Sequence, residues 1–439
     1  MSVYNPYEDI KEIKEIKVYK VGDSKTLKIG VIGDTQLISL SSGNKEYLQF
    51  SKNFKKTLEI LKQNKIDVLI IDGDITNCGY QEAYDNFLAQ FNSVYGDFKN
   101  EKAPILNLIM GNHDYWSLKG IKNTNEYNKE MQKMFEEKTK EKPYSHKIIN
   151  GYHFINWSCD NYSLDKPYVD FSWFEKQIEL AKSSDNKPIF VTTHFPPKGT
   201  VYGSEEWGAD ILNKYFEKYP QIINFSGHSH FSLIDERSIY QKDYTAIQTQ
   251  SISYIELEDG KVNGSIPKDE YDNRMISNQN CMGLICDVND TKVVIKRISF
   301  EKNEFYGNDW IIDVPIDKNN FRYLHHEMEK KNPKPYFKFE KEEDKKIIIE
   351  KNNNNNIIKF KQAFHPNFVH SYKIIFTNEI NEEYTYLYFS DFFLMPSDRK
   401  EIISFKINEN LCGKYKVKIY AIESFGKISD NYIEDEIII

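Results

Sequence analysis

Five times in this chain an apolar run breaks off on a carboxylate, an amide or an imidazole, four of them beside glycine. "TLKIGVIGD" ends on Asp34, "IDVLIIDGD" on Asp74 and "PILNLIMGNHD" on Asn112, His113 and Asp114. "KPIFVTTH" ends on His194, and "PQIINFSGHSH" on His228 and His230. Runs this short and this apolar read as buried strands. Small or polar residues in a row continue a core strand poorly, so each strand stops where its tip is needed for something else. Between the runs, Phe50, Phe54, Leu58 and Leu61, and then Tyr84, Phe87, Leu88, Phe91 and Tyr95, recur at three- and four-residue steps, as on one face of a helix. Strand alternating with helix predicts an α/β fold with polar residues gathered at the strand ends.

At 439 residues the chain is too long for one ordinary domain. The charged, proline-bearing stretch from Asp317 to Pro335 reads as a linker. It separates a catalytic-looking domain over 1–320 from a second domain over 335–439. Beyond it seven short strand patterns follow at about ten-residue spacing, from "KKIIIEK" to "IEDEIII", which predicts a small all-β sandwich. Leu411, Gly413 and Tyr415 have the spacing of a tyrosine corner, and with it this segment resembles a fibronectin type III domain. The resemblance implies a module that binds or positions another protein or a carbohydrate. The asparagine run at 352–356 is low-complexity and reads as a solvated loop.

Composition sets limits. A net charge of -8 disfavours nonspecific tracking along nucleic acid, although a local basic groove is compatible with it. No apolar run approaches the roughly 20 residues of a membrane span. The opening "MSVYNPYEDIKEIKEIKVYK" has no apolar leader core, and five scattered cysteines suit a reducing compartment, so a cytoplasmic location is expected.

The strand tips carry the chemistry. Carboxylates, amides and neutral imidazoles without a thiolate suit first-row divalent or trivalent metals. Two ions are chemically attractive, because Asp74 can bridge them and a hydroxide held between them is a nucleophile at neutral pH. "GNHD" ends a strand so that Asn112 can offer its carbonyl oxygen while His113 projects over the substrate. The order of the blocks resembles the calcineurin-like metallophosphoesterase family, whose signature runs D-x-H, GD-x-x-(N/D), GNH-(D/E), H and GH-x-H. The resemblance implies a two-sheet α/β/β/α sandwich and a dimetal hydrolase of phosphoric esters. It implies Asp34 and His230 on the first ion, Asp74 between the two, and Asn112, His194 and His228 on the second. His113 resembles the residue that stabilises the phosphate or protonates the leaving oxygen, with Asp114 as its orienter.

Gln36 departs from the pattern, standing where the signature has histidine. Its amide oxygen can still ligate, and it shifts the expected ions toward Mn²⁺ or Mg²⁺ over Zn²⁺, with Fe²⁺ or Fe³⁺ compatible. Asn77 stands where the purple acid phosphatase branch has tyrosine, so ferric–tyrosinate chemistry is not expected. Tyr115 and Trp116 either line the pocket or pack in the core. The segment Tyr115 to Lys147 and the loop Gly199 to Gly208 are expected to shape the pocket. Monoester and diester substrates both fit. The rival readings are a nuclease of the same fold and a scaffold on a degenerate metal site.

Overall fold

The computed structural model describes residues 16–22, 25–97, 100, 102–117, 124–164, 166–182, 185–258, 276–277, 280–352, 355–407 and 411–439. The opening up to residue 15, residues 118–123 of the expected pocket segment and residues 353–354 of the asparagine run lie outside the described residues. The chain divides into two compact units. One comprises the residues up to Leu233 with Ser238–Tyr254 and Cys281–Leu324; the other comprises Ile234–Arg237, Ile255–Asn280 and His325–Ile439.

In the first unit the elements follow the alternation read from the sequence: β1 (Lys17–Tyr19), β2 (Leu27–Ile32), α1 (Lys45–Gln63), β3 (Val68–Ile71), α2 (Gln81–Tyr95), β4 (Ile105–Leu108), α3 (Asn125–Thr139), β5 (Tyr144–Ile149), β6 (Tyr152–Trp157), α4 (Phe171–Ala181), β7 (Ile189–Thr193), α5 (Ser204–Trp207), α6 (Asp210–Phe216), β8 (Ile222–Ser226), β9 (Ile239–Gln241) and β10 (Thr245–Gln248). They make two mixed sheets. One runs β1-β5-β6-β7-β8-β10-β9; the other sets β2, β3 and β4 beside the antiparallel strands Met282–Val288, Lys292–Ser299 and Glu304–Asp313. Asn156 Nδ2 donates to Asn107 Oδ1 and the Met110 N–H to Ser158 Oγ, tying one sheet to the other.

Helix formation here follows from caps and apolar stripes. Asn44 caps α1 by accepting from the Glu46 and Tyr47 N–H groups. Phe54 and Leu58 of α1 are buried, and Phe54 stacks on Phe87 of α2 with ring centroids 5.5 Å apart. On the other sheet, Asp170 caps α4, and Phe174 stacks on Trp157 of β6 at 4.4 Å. Each such side chain contributes roughly 1.5–3 kcal/mol by leaving water. The two-sheet α/β/β/α architecture expected from the sequence is the one found.

Register decides where the tips fall. Ile32 pairs with Ile71 and Ile71 with Leu108, all parallel, so Gly33, Asp72 and Ile109 leave the sheet together. In the other sheet Thr192 pairs with Phe225, and Ser226 with Gln248. The loops after β2, β3, β4, β7 and β8 therefore rise from carboxyl ends, the edge at which open α/β sheets place their sites.

The second unit carries all seven expected strands, in antiparallel sheets of three and four. Ile358, Phe360, Tyr372, Ile374, Val417 and Ile419 fill its core. The Tyr415 hydroxyl donates to the Cys412 carbonyl at 3.2 Å, as in a tyrosine corner. The stretch read as a linker contains a helix, His325–Lys331, which buries none of its residues and so gave no apolar periodicity to read. Among the described residues no helix is long and apolar enough to cross a membrane.

Candidate metal centre

The tips converge through backbone bonds before any side chain is considered. Asp34 N–H donates to the Gly73 carbonyl, Gln36 N–H to the Asp74 carbonyl, and Gly227 N–H to the His194 carbonyl. Of the seven ligand candidates, Asp34, Gln36, Asp74, His228 and His230 have left-handed backbone, with φ between 44° and 66°. Such conformations cost on the order of 1–3 kcal/mol each in non-glycine residues and gather at functional sites. Gly227 is required by close approach: a β-carbon there would stand 2.5 Å from Asp34 Oδ2.

Two donor groups result. Asp74, His194 and His228 each offer a ligand atom, all within 4.8 Å of one another; Asp34, Asp74 and His230 do the same. Asp74 belongs to both. His194 Nε2 lies 3.3 Å from Asp74 Oδ1 and 2.8 Å from Asn112 Oδ1, and His230 Nε2 lies 3.1 Å from Asp34 Oδ1. The residues present fit cations. Asp74 Oδ2, Asp72 Oδ1 and Gln36 Nε2 are buried without a hydrogen-bond partner. A buried carboxylate oxygen left bare is costly, and a cation satisfies it. Turning the Gln36 amide by half a turn puts its oxygen where the orphaned nitrogen stands.

Backbone carbonyls aim the imidazoles. Nδ1 of His194 meets the Asp72 carbonyl at 2.9 Å, Nδ1 of His230 the Tyr254 carbonyl at 3.2 Å, and Nδ1 of His113 the Asn77 carbonyl at 3.2 Å. A carbonyl only accepts, so Nδ1 carries the hydrogen, and Nε2 is left as the ligand atom in His194 and His230 and as the free ring position of His113. Aromatic rings back the same imidazoles. Trp116 lies over His113 with centroids 3.7 Å apart, Trp207 meets His228 edge-on at 5.5 Å, and Tyr254 lies 4.2 Å from His230. The loop Gly199 to Gly208 reaches the site through Trp207.

Charges are strongly coupled here. Burial alone raises the Asp74 carboxyl, but the surrounding imidazoles, His194 foremost, hold it below the ordinary carboxylate range. His194 is pushed up to about 10 against its burial, by Asp74. Burial and then His194 hold His228 well below the usual histidine range. Asp72 is raised well above a normal carboxyl by burial and by neighbouring Asp34.

One expected role is corrected. The Asp114 carboxylate does not orient His113. It is buried and accepts from the N–H groups of Gly111, Ile75 and Thr76, and from the hydroxyls of Thr76 and Tyr84. Residues His113–Tyr115 form one turn of 3₁₀ helix, in which successive side chains point about 120° apart, so 113 and 114 face different ways. Tyr115 is buried, its hydroxyl donating to the Cys159 carbonyl. Sequence reasoning passed over Asp72, whose Oδ2 accepts from Thr249 Oγ1 at 2.5 Å. Its signal was present: "DGD" sets a second carboxylate two residues before Asp74 at the same strand tip.

Residues 27–232 match the calcineurin-like phosphoesterase family. No curated protein matches the chain. Similar solved structures include GAP50, the anchor in the inner membrane complex of Plasmodium, at 14% identity over 67% of this chain and 92% of that one, TM-score 0.38. A dimetal phosphatase from Danio rerio shares 10% identity over 65% and 98%, TM-score 0.40. The purple acid phosphatase PPD1 of yellow lupin seeds shares 14% over 66% and 54%, TM-score 0.42. Over residues 27–232 the chain carries a calcineurin-like phosphoesterase domain.

Proposed function

We propose that the strand-tip cluster holds two divalent cations and hydrolyses phosphoric esters of small alcohols. The observation that carries this reading is the membership of Asp74 in both donor groups, which is what a bridging ligand requires. Asp34, Gln36 and His230 complete the first position; Asn112, His194 and His228 complete the second. Two carboxylates and an amide at the first position favour a hard ion, Mn²⁺ in preference to Zn²⁺. Cations bound there supply a water-derived nucleophile at neutral pH and offset the charge of the phosphate. The chain's own residues do the rest. The carbonyls of Asp72 and Tyr254 keep His194 and His230 aimed, so no reorientation is needed when an ester arrives.

His113 is the proton donor or phosphate clamp. Its backbone N–H donates to Asp74 Oδ1 at 2.8 Å, its ring Nε2 lies 3.9 Å from Asp74 Oδ2, and Trp116 lies against its ring. We read the all-β unit as a fibronectin type III-like module that binds or positions a protein or carbohydrate, on the strength of the Tyr415 corner. The deciding experiment sets p-nitrophenyl phosphate against its bis ester with the whole chain in Mn²⁺, in Zn²⁺ and in EDTA. Metal-dependent turnover of one ester is expected and identifies mono- or diesterase. No turnover of either, with no metal in the purified protein, leaves the scaffold reading; nicking of plasmid DNA that is lost in His113→Asn establishes the nuclease.

A further inference from the structure

A second place in the first unit is built for a ligand. β1 is short, and its parallel register sets Lys17 beside Lys147 of β5, so both side chains leave the same face. Lys147 is almost wholly buried and gives its charge to Glu141 Oε2 at 2.5 Å and to the Leu106 carbonyl. Around these residues lies a cavity of about 420 Å³, within the range that small-molecule sites occupy. Its lining holds four lysines (17, 142, 147 and 176) against the single carboxylate of Glu141, which Lys147 already uses.

The cavity also has an aromatic wall and a polar floor. Tyr144 and Trp173 stand with centroids 5.1 Å apart at 33°, each half-buried. His146 on the floor is buried, with Nδ1 2.9 Å from Gln177 Oε1. That contact uses the oxygen of the lining amide and leaves its nitrogen as the donor end. Burial holds the Lys147 ammonium below its ordinary range against the pull of Glu141, with Lys17 adding a smaller push downward. The cavity stands at the edge of the sheet, on β5, whereas His194 follows β7 with β6 between them.

We propose that this cavity is a second ligand site, taking a planar ring that bears phosphate, of the nucleoside phosphate class. Lys142 and Lys176, with Lys17 at the strand edge, take the phosphates, Lys147 staying with Glu141 and the Leu106 carbonyl, and the Tyr144–Trp173 wall takes the ring. The probes are ATP, pyrophosphate and adenosine, titrated calorimetrically into the whole chain in EDTA. ATP is expected to bind at about 100 µM or tighter, and the two fragments at least tenfold more weakly. In the doubly reversed chain, Lys17→Glu with Lys176→Glu, ATP should bind at least tenfold more weakly, while Mn²⁺-supported aryl phosphate turnover stays within about twofold. Both lysines are exposed, so the reversals leave the fold intact; Lys17→Ala with Lys176→Ala, checked by its melting temperature, guards against a surface artefact. The site is overturned by absence of ATP binding at about 1 mM or by equal ATP affinity in the wild-type and reversed chains. Pyrophosphate binding as tightly as ATP overturns the ring, and adenosine binding as tightly overturns the phosphate.

Discussion

A β-carbon on Gly111 would stand 2.1 Å from Asp74 Oδ1 and 2.5 Å from the Asp74 nitrogen. The residue before Asn112 is therefore fixed as glycine by the carboxylate shared between the two donor groups. Gly111→Ala must displace that carboxylate or its backbone. Misplacement of a reacting group by about 1 Å costs on the order of 100-fold in rate. The variant is expected to lose about that much phosphoesterase activity and at least one bound cation, read by metal analysis of the purified protein. Two tightly held ions and full activity in this variant would refute the placement of Asp74.

Asp114 and His113, neighbours in sequence, should fail in different ways. Asp114→Asn turns an amide donor toward the backbone N–H groups of Gly111 and Ile75, or, with the amide reversed, toward that of Thr76. Leaving such groups facing one another costs about 1–3 kcal/mol. The melting temperature should fall by several degrees. His113→Asn should instead melt normally and lose about 100-fold or more in kcat, the range for a lost proton donor. Equal melting temperatures with equal losses of kcat would restore Asp114 as the orienter of His113.

Acid should loosen the fold through a pair of imidazoles remote from the strand tips. His146 Nε2 and His153 Nδ1 are 2.8 Å apart, and burial lowers each to about 4. A histidine lowered in the fold contributes stability that is complete above its unfolded value, about 6.5, and is lost as pH falls through the folded one. Stability should therefore decline from pH 6.5 to pH 4, by on the order of 1 kcal/mol for each pH unit. Denaturant unfolding of His146→Gln with His153→Gln should show a flatter profile over that window. An unchanged slope would mean that other groups drive acid unfolding.

Gln36 can be tested by restoring the imidazole of the family signature. Its φ of 44° lies in the left-handed region, which histidine tolerates better than most residues. Gln36→His should shift activity from Mn²⁺ toward Zn²⁺, by about tenfold in the ratio of the two, since imidazole is the softer donor. Titration of the metal-stripped protein with each ion gives the answer. No change in that ratio would place Gln36 outside the coordination sphere.

The strand tips were legible because each ligand candidate follows an apolar run too short to be anything but a core strand, as Val68–Ile71 before Asp74 shows. The stripes of α1 and α2 were legible for the same reason, through Phe54 and Phe87. What escaped depends on direction in space. Adjacency in sequence suggested that Asp114 serves His113, and a single 3₁₀ turn sends the two apart. The carbonyls of Asn77, Asp72 and Tyr254 that aim the imidazoles belong to the backbone and have no letter in the sequence. Ile234–Arg237 joins the C-terminal unit because of tertiary contacts, which no local pattern announces.

The donors of the metal centre are gathered from Asp34 at one extreme to His230 at the other. Neither donor group is complete until the loop after β8 has been made, so the proposed hydrolysis cannot begin while that loop is still inside the ribosome. Any truncation ahead of it yields protein that is inert from the outset, whatever the soundness of its first sheet.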